Sequence, residues 1–167
     1  MILYIVRHGI AVDRTDPNSP PDPERPLTAR GVKKTRLAAL GLGKFEIKPD
    51  PFITSPLIRA VQTAEIFTEA LGFPPSRIRS SEHLKPAADP AEFLKELSRL
   101  KAKEVICFGH APHVDTMISQ LAGARGVFTS MKKAGVACFE CGASHGRWEL
   151  LWLVTPKCYV SWPSKRT

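Results

Sequence analysis

The sequence predicts a single α/β domain built on a mainly parallel central sheet, with helices on both faces and a pair of strands near the C-terminus. Two patterns carry this. Short apolar runs such as Ile2 to Val6, Phe52 to Thr54 and Val105 to Gly109 alternate with longer segments whose apolar residues recur at helical spacing, which is how parallel strands joined by helices read in sequence. From Gly135 onward the alternation stops, and two strand-like segments, Gly135 to Glu140 and Arg147 to Val154, flank the turn-like Gly142-Ala143-Ser144-His145-Gly146. No internal repeat or linker divides the 167 residues, so one domain over 1–167 is expected.

The elements follow in order. Ile2 to Val6 reads as a buried first strand, and the proline-rich stretch from Val12 to Pro26 can only be loop. Thr28 is a good N-cap for a helix reaching about Gly43, with Val32, Ala39 and Leu40 on its inner stripe. Phe52-Ile53-Thr54 is a brief strand. Ser55-Pro56 then offers an N-cap followed by proline at the first helical position, and Leu57, Ala60, Val61, Ala64 and Leu71 form a buried face that leaves Arg59 off the stripe in the first turn. Arg77 to Ser80 is a short strand, and Asp89-Pro90-Ala91-Glu92 resembles a capping box that opens a helix with Phe93, Leu94, Leu97 and Leu100 inward. Val105 to Gly109 is a continuous apolar strand, followed from about Pro112 by a helix that buries Val114, Met117, Ile118 and Leu121.

Composition narrows the function. The formal charge is +8, from 24 Lys and Arg against 16 Asp and Glu, which favours an anionic partner. Lys157, Lys165 and Arg166 contribute part of that excess and read as a solvated end. The opening apolar run is too short for a signal-peptide core, and no run approaches the roughly 20 residues of a membrane span, so no membrane association and a cytoplasmic location are expected. Four cysteines without the density of a secreted scaffold are expected to be reduced thiols. The basic residues show no aromatic interleaving and no recognition helix, which argues against nucleic acid.

The most informative feature is positional. Three polar sets, Arg7-His8-Gly9, Ser55 to Arg59 and Gly109-His110, each fall just after a predicted strand. In open α/β sheets that edge is where strand ends and helix N-termini open together onto ligands. A pocket shared by the three would hold two arginines and two histidines, which suits a dianionic phosphoryl group. Gly9 would let the backbone approach it closely.

Arg7-His8-Gly9, the stretch from Thr54 to Ala64 (Thr-Ser-Pro-Leu-Ile-Arg-Ala-Val-Gln-Thr-Ala) and Gly109-His110 together resemble the histidine phosphatase superfamily, which contains the phosphoglycerate mutases. Arg25-Pro26-Leu27-Thr28-Ala29-Arg30-Gly31 and the short chain are most similar to its SixA-type phosphohistidine phosphatase branch. The resemblance covers nearly the whole chain. It implies a phosphoglycerate mutase-like fold, His8 as nucleophile, and Arg7, Gly9, Arg59 and His110 as phosphate ligands, with no cofactor and no metal. The residues are chemically suited to this. A neutral imidazole can attack phosphorus, flanking guanidiniums depress its proton affinity, and planar guanidinium forks match the phosphoryl oxygens, while His110 as a cation could bind a third.

Superfamily members that act on phosphate esters typically carry an acid to protonate the leaving alcohol. Here the corresponding region is Ser81-Glu82-His83-Leu84-Lys85-Pro86, in which Glu82 is the only acid and can equally be an exposed loop residue. An imidazole, with a conjugate-acid pKa of about 6.5, leaves far more readily than an alkoxide. The expected substrate is therefore phosphohistidine on a protein, such as a phosphorelay or phosphotransfer component. The short chain between Arg59 and His110 leaves no room for a large helical lid, so an open site is expected, although Val12 to Pro26 could fold over it. Arg25 and Gln62 are further candidates for phosphate contact. Two alternatives stand beside this reading: a phosphomonoesterase or mutase acting on a small phosphorylated metabolite with Glu82 as acid, and a metal-binding module using Cys138, Cys141, His145 and Cys158. Against the latter, strand alternation places Cys138 and Cys141 on opposite faces.

Overall fold

The structure, a computed structural model, describes residues 1–142 and 146–160, the last of these for its backbone only. Strands β1 (Ile2–Arg7), β2 (Phe52–Thr54), β3 (Ile78–Ser80) and β4 (Glu104–Gly109) are parallel, while β5 (Val136–Cys141) and β6 (Trp148–Val154) are antiparallel additions. All belong to one six-stranded sheet in the order β3-β2-β4-β1-β5-β6. The central strands are buried on both faces, which is why β4 reads as an unbroken apolar run: Val105, Ile106, Cys107 and Phe108 have no exposed surface.

Helices cover both faces, as the sequence implies. Helices α1 (Ala29–Gly43) and α2 (Ile58–Leu71) pack on one face around Ala38, Leu42, Ala64, Phe67 and Phe108. Helices α3 (Pro90–Ser98) and α4 (His113–Leu121) pack on the other around Phe93, Leu97, Val114, Met117 and Ile118. The predicted caps form at two of these helices. Thr28 Oγ1 accepts from Gly31 N at 3.0 Å, and Asp89 Oδ1 accepts from Ala91 N at 2.9 Å. The reciprocal half of the capping box is diverted, because Glu92 pairs with Lys95 at 2.6 Å.

Three local expectations are corrected. In α1 the buried face is Gly31, Thr35, Ala38, Ala39 and Leu42, whereas Val32 and Leu40 are 40% and 51% exposed. Close packing selects the small-residue face, which a search for large apolar residues passes over. Helix α2 starts at Ile58, with Leu57 as an N-cap whose side chain makes no capping bond, so Ser55 is not the cap. A short fifth helix, α5 (Pro156–Val160), was not expected; its Tyr159 is buried in the α1-side core. Ala143, Ser144 and His145 of the predicted turn, and Lys165 and Arg166 of the basic end, lie outside the described residues. No described helix is long and apolar enough to cross a membrane.

Candidate active site

The sheet register assembles the site. Arg7 lies opposite Gly109 across β1 and β4, and Thr54 lies opposite Phe108 across β2 and β4. Each strand therefore releases its polar residues at the same level: His8 N donates to Gly109 O at 2.9 Å, and Ser55 N donates to Phe108 O at 3.0 Å. Arg7, His8, Arg59 and His110 line one cleft of about 600 Å³ at this carboxyl edge.

His8 is the best-defined group. Its side chain is buried, and Nδ1 sits 2.7 Å from the carbonyl oxygen of Gly9. A carbonyl can only accept, so the contact requires the proton on Nδ1 and leaves the lone pair on Nε2. Burial, the adjacent His110 and the nearby Lys133 push its pKa down to about 2, so the ring is neutral. The two imidazoles face one another with centroids 4.9 Å apart. His110 is itself held neutral, at about 3, chiefly by burial and then by Arg59. The expected imidazolium is thus disfavoured until a dianion offsets the guanidinium field. His110 Nε2 lies 2.8 Å from Ser55 Oγ, while its buried Nδ1 has no protein partner.

Both guanidiniums are held by protein acceptors. Arg7 Nη1 donates to Met131 O at 2.6 Å. Arg59, expected off the buried face of α2, instead lies on it with Thr63 and Ile66 and is only 3% exposed. Its Nη1 donates to the backbone carbonyl of Asp22 at 2.7 Å, and its Nη2 pairs with the Asp22 carboxylate at 3.2 Å. Asp22 also receives Arg25, whose Nη1 reaches Val12 O at 2.6 Å. Val12, Asp13, Arg14, Asp22 and Arg25 all line the cleft, so the proline-rich loop forms one of its walls and the site is less open than the sequence suggests.

This constellation, a neutral imidazole that shares one cleft with two guanidiniums, is suited to accept a phosphoryl group. A profile described as "Histidine phosphatase superfamily (branch 1)" matches residues 3–85. The chain belongs to the histidine phosphatase superfamily. It is 37% identical to an uncharacterized protein of a Picosynechococcus species, over 94% of this chain and 98% of that one. It is 29% identical to phosphohistidine phosphatase SixA of Escherichia coli, over 90% of this chain and 93% of the relative. A solved structure of the protein histidine phosphatase SixA complexed with tungstate matches with a TM-score of 0.82 and 26% identity, covering 95% of this chain and 99% of that chain. Phosphoserine phosphatase from Entamoeba histolytica shares the fold alone, at TM-score 0.72 and 16% identity over 93% of this chain and 98% of that chain.

Several candidates take other places in this histidine phosphatase. Gly9 does not line the cleft; its N–H is spent on Thr63 Oγ1 at 3.0 Å and its carbonyl on His8. A Cβ at Gly9 would come within 2.3 Å of Thr35 Oγ1, so the glycine serves the packing of α1 against the site rather than approach to a ligand. Gln62 uses Oε1 to accept from Leu27 N at 2.7 Å, pinning the loop's end. Glu82 stands on an exposed turn, ion-paired with Lys85 and outside the cleft lining. Cys138 is buried in β5, Cys141 is half-buried and Cys158 is exposed. Among the described residues, no group of three or more His, Cys, Asp or Glu could hold a metal ion; His145 lies outside them.

Sequence reasoning missed four contributors. Thr63 links the site to α2, because its hydroxyl accepts from Gly9 N and donates to Arg59 O at 2.7 Å. Ser55, which the sequence reads as a helix cap, instead presents its hydroxyl to His110 Nε2. Asp22 reaches the cleft from a short 3-10 turn (Asp22–Glu24) inside the stretch expected to be loop throughout, and Lys133 from a loop, where no periodicity marks them.

Proposed function

We propose that this phosphatase is a SixA-type protein phosphohistidine phosphatase that works through a covalent intermediate on His8. The observation that carries the proposal is the contact of His8 Nδ1 with Gly9 O, which calls for the proton on Nδ1 and leaves the Nε2 lone pair for chemistry in a cleft shared with Arg7, Arg59 and His110. In the first step Nε2 attacks phosphorus, the substrate P–N bond breaks, and the electron pair leaves with the substrate imidazole, which takes a proton from solvent. In the second, water attacks phosphorus, the bond to Nε2 breaks, and inorganic phosphate departs. Arg7, Arg59 and His110 bind the equatorial oxygens in both.

The choice of phosphohistidine rests on the acids at the cleft. Asp13 is held below the ordinary carboxylate range by hydrogen bonds from Thr15, and Asp22 by its bond from Arg25. Both lining carboxyls are therefore ionised at neutral pH and are poor proton donors, while Glu82 stands outside the cleft. A leaving imidazole tolerates this arrangement and an alkoxide does not. The proposed partner is a phosphohistidine-bearing phosphorelay or phosphotransfer protein, in a cytoplasmic setting. The positive net charge would assist its approach.

The test compares kcat/KM for a phosphohistidine-bearing phosphotransfer protein with that for small phosphate esters. A preference of at least 100-fold for phosphohistidine, unchanged in Glu82→Ala, is expected. A preference for the esters that disappears in Glu82→Ala would overturn the choice of substrate.

A further inference from the structure

We infer that Lys133 is a further cationic ligand of the reacting phosphoryl group, beside Arg7 and Arg59, carried into the cleft by a tight turn that the catalytic strand itself holds in place. The inference rests on the reading of the cleft as a phosphoryl site. Lys133 lines that cleft together with Arg7, His8, Arg59 and His110. It is half-buried, whereas its neighbour Lys132 is exposed.

The turn is specific. Gly135 N donates to Lys132 O at 2.8 Å, closing a four-residue turn in which Lys133 and Ala134 are the central pair. Ala134 has φ of 59°, a left-handed backbone that costs a non-glycine residue about 1 kcal/mol or more. That conformation is held by Ala134 N, which donates to Arg7 O at 3.0 Å and approaches His8 O at 3.3 Å, and by Arg7 N, which donates to Gly135 O at 3.2 Å. A Cβ at Gly135 would lie 2.8 Å from Lys132 O, so the turn needs glycine there. The two residues that follow the lysine are thus bonded to Arg7 and His8 at the end of the catalytic strand, which fixes where the Lys133 side chain begins relative to His8.

The charge environment makes an anion the partner this ammonium calls for. Among the described residues Lys133 has no carboxylate within ion-pair distance, while the guanidiniums of Arg7, Arg25 and Arg59 are close enough, after burial, to disfavour its proton. Opposing this, Asp13 favours the charged ammonium. Asp22 pairs with Arg25 and Arg59, but Arg7 and Lys133 have no ion-pair partner among the described residues, so the cleft keeps an excess of positive charge suited to a multiply charged anion. A lysine contributes a compact point charge there, complementing the fixed forks of the arginines.

The test uses two probes that need no protein substrate: competitive inhibition by orthophosphate and the rate of phosphoenzyme formation from phosphoramidate. In Lys133→Met, the orthophosphate inhibition constant should rise at least tenfold and the phosphorylation rate fall at least tenfold. Lys133→Arg should recover most of both, and Lys132→Met should leave both within twofold. Values within twofold of wild type in Lys133→Met would overturn the inference. If wild type binds orthophosphate in a Lys133-dependent manner yet forms no phosphoenzyme, Lys133 is upheld as a ligand and the covalent reading of His8 fails instead.

Discussion

His8 Nδ1 lies 2.7 Å from the carbonyl oxygen of its own neighbour Gly9, and this short local contact decides which ring nitrogen is available for chemistry. It predicts that the neutral ring is the Nδ1–H tautomer. Nitrogen-15 NMR of the free enzyme should show a protonated Nδ1 and an unprotonated Nε2 at pH 7, with no titration of His8 between pH 7 and 5, because burial and its cationic neighbours hold the pKa near 2. A His8 resonance that titrates near pH 6.5 would contradict this.

The same depression has a stability consequence. His8, His110 and His113 are all buried and held below their ordinary value, mainly by desolvation. In the unfolded chain they take up protons near pH 6.5; in the folded protein they do not. Below pH 6.5 the unfolded state binds more protons, so stability falls with pH, by up to about 1.4 kcal/mol per unit for each histidine, and the loss continues toward the depressed folded values. Urea midpoints should decline from pH 7 to 5, and saturating orthophosphate, which favours the protonated rings, should flatten the decline.

Arg7 is held by Met131 O at 2.6 Å, and Met131 N in turn donates to Asp115 Oδ1 at 2.7 Å. Asp115 is buried and also accepts from Thr129 Oγ1 at 3.1 Å, so a carboxylate without contact to the cleft positions one of its guanidiniums. Asp115→Ala should cost about 1–3 kcal/mol by stranding a buried N–H. It should also raise KM more than it lowers kcat, since Arg7 would still carry its charge but lose its alignment. Asp115→Asn, which keeps an acceptor, should recover much of the stability.

The Asp22 carboxylate occupies Arg59 Nη2 at 3.2 Å while remaining half exposed itself. It therefore competes with phosphate for the same donor. Asp22→Ala should tighten orthophosphate binding about three- to tenfold, whereas Arg59→Ala should reduce kcat/KM about 10²- to 10³-fold, the range seen when one preorganised donor is removed. Orthophosphate inhibition and steady-state kinetics measure the two effects. Weaker orthophosphate binding in Asp22→Ala would make Asp22 a support for Arg59 instead.

What the sequence made legible follows from where each residue sits. Arg7, His8 and His110 end apolar strands, and Arg59 opens a helix, so their convergence could be read from strand ends alone. Ser55 shows the opposite case. Its position before a proline matches a helix cap, yet its hydroxyl faces His110 Nε2 at 2.8 Å, and the helix starts three residues later without a side-chain cap. Local preference yields there to the site. Asp22 and Lys133 were illegible because their loops are routed by long-range bonds, from Arg59 to Asp22 O and from Ala134 to Arg7 O, that leave no local pattern. Val32 and Leu40 misled for a related reason: α1 packs through its small residues.

The central claim is that His8 carries the phosphoryl group. The direct measurement is to mix the enzyme with labelled phosphohistidine protein, quench in alkali, and locate the acid-labile label by peptide mapping. Label on the peptide containing His8 in wild type, with none in His8→Ala and turnover reduced at least 10⁴-fold, is the predicted result. Sustained turnover in His8→Ala, or label recovered on another residue, would contradict it.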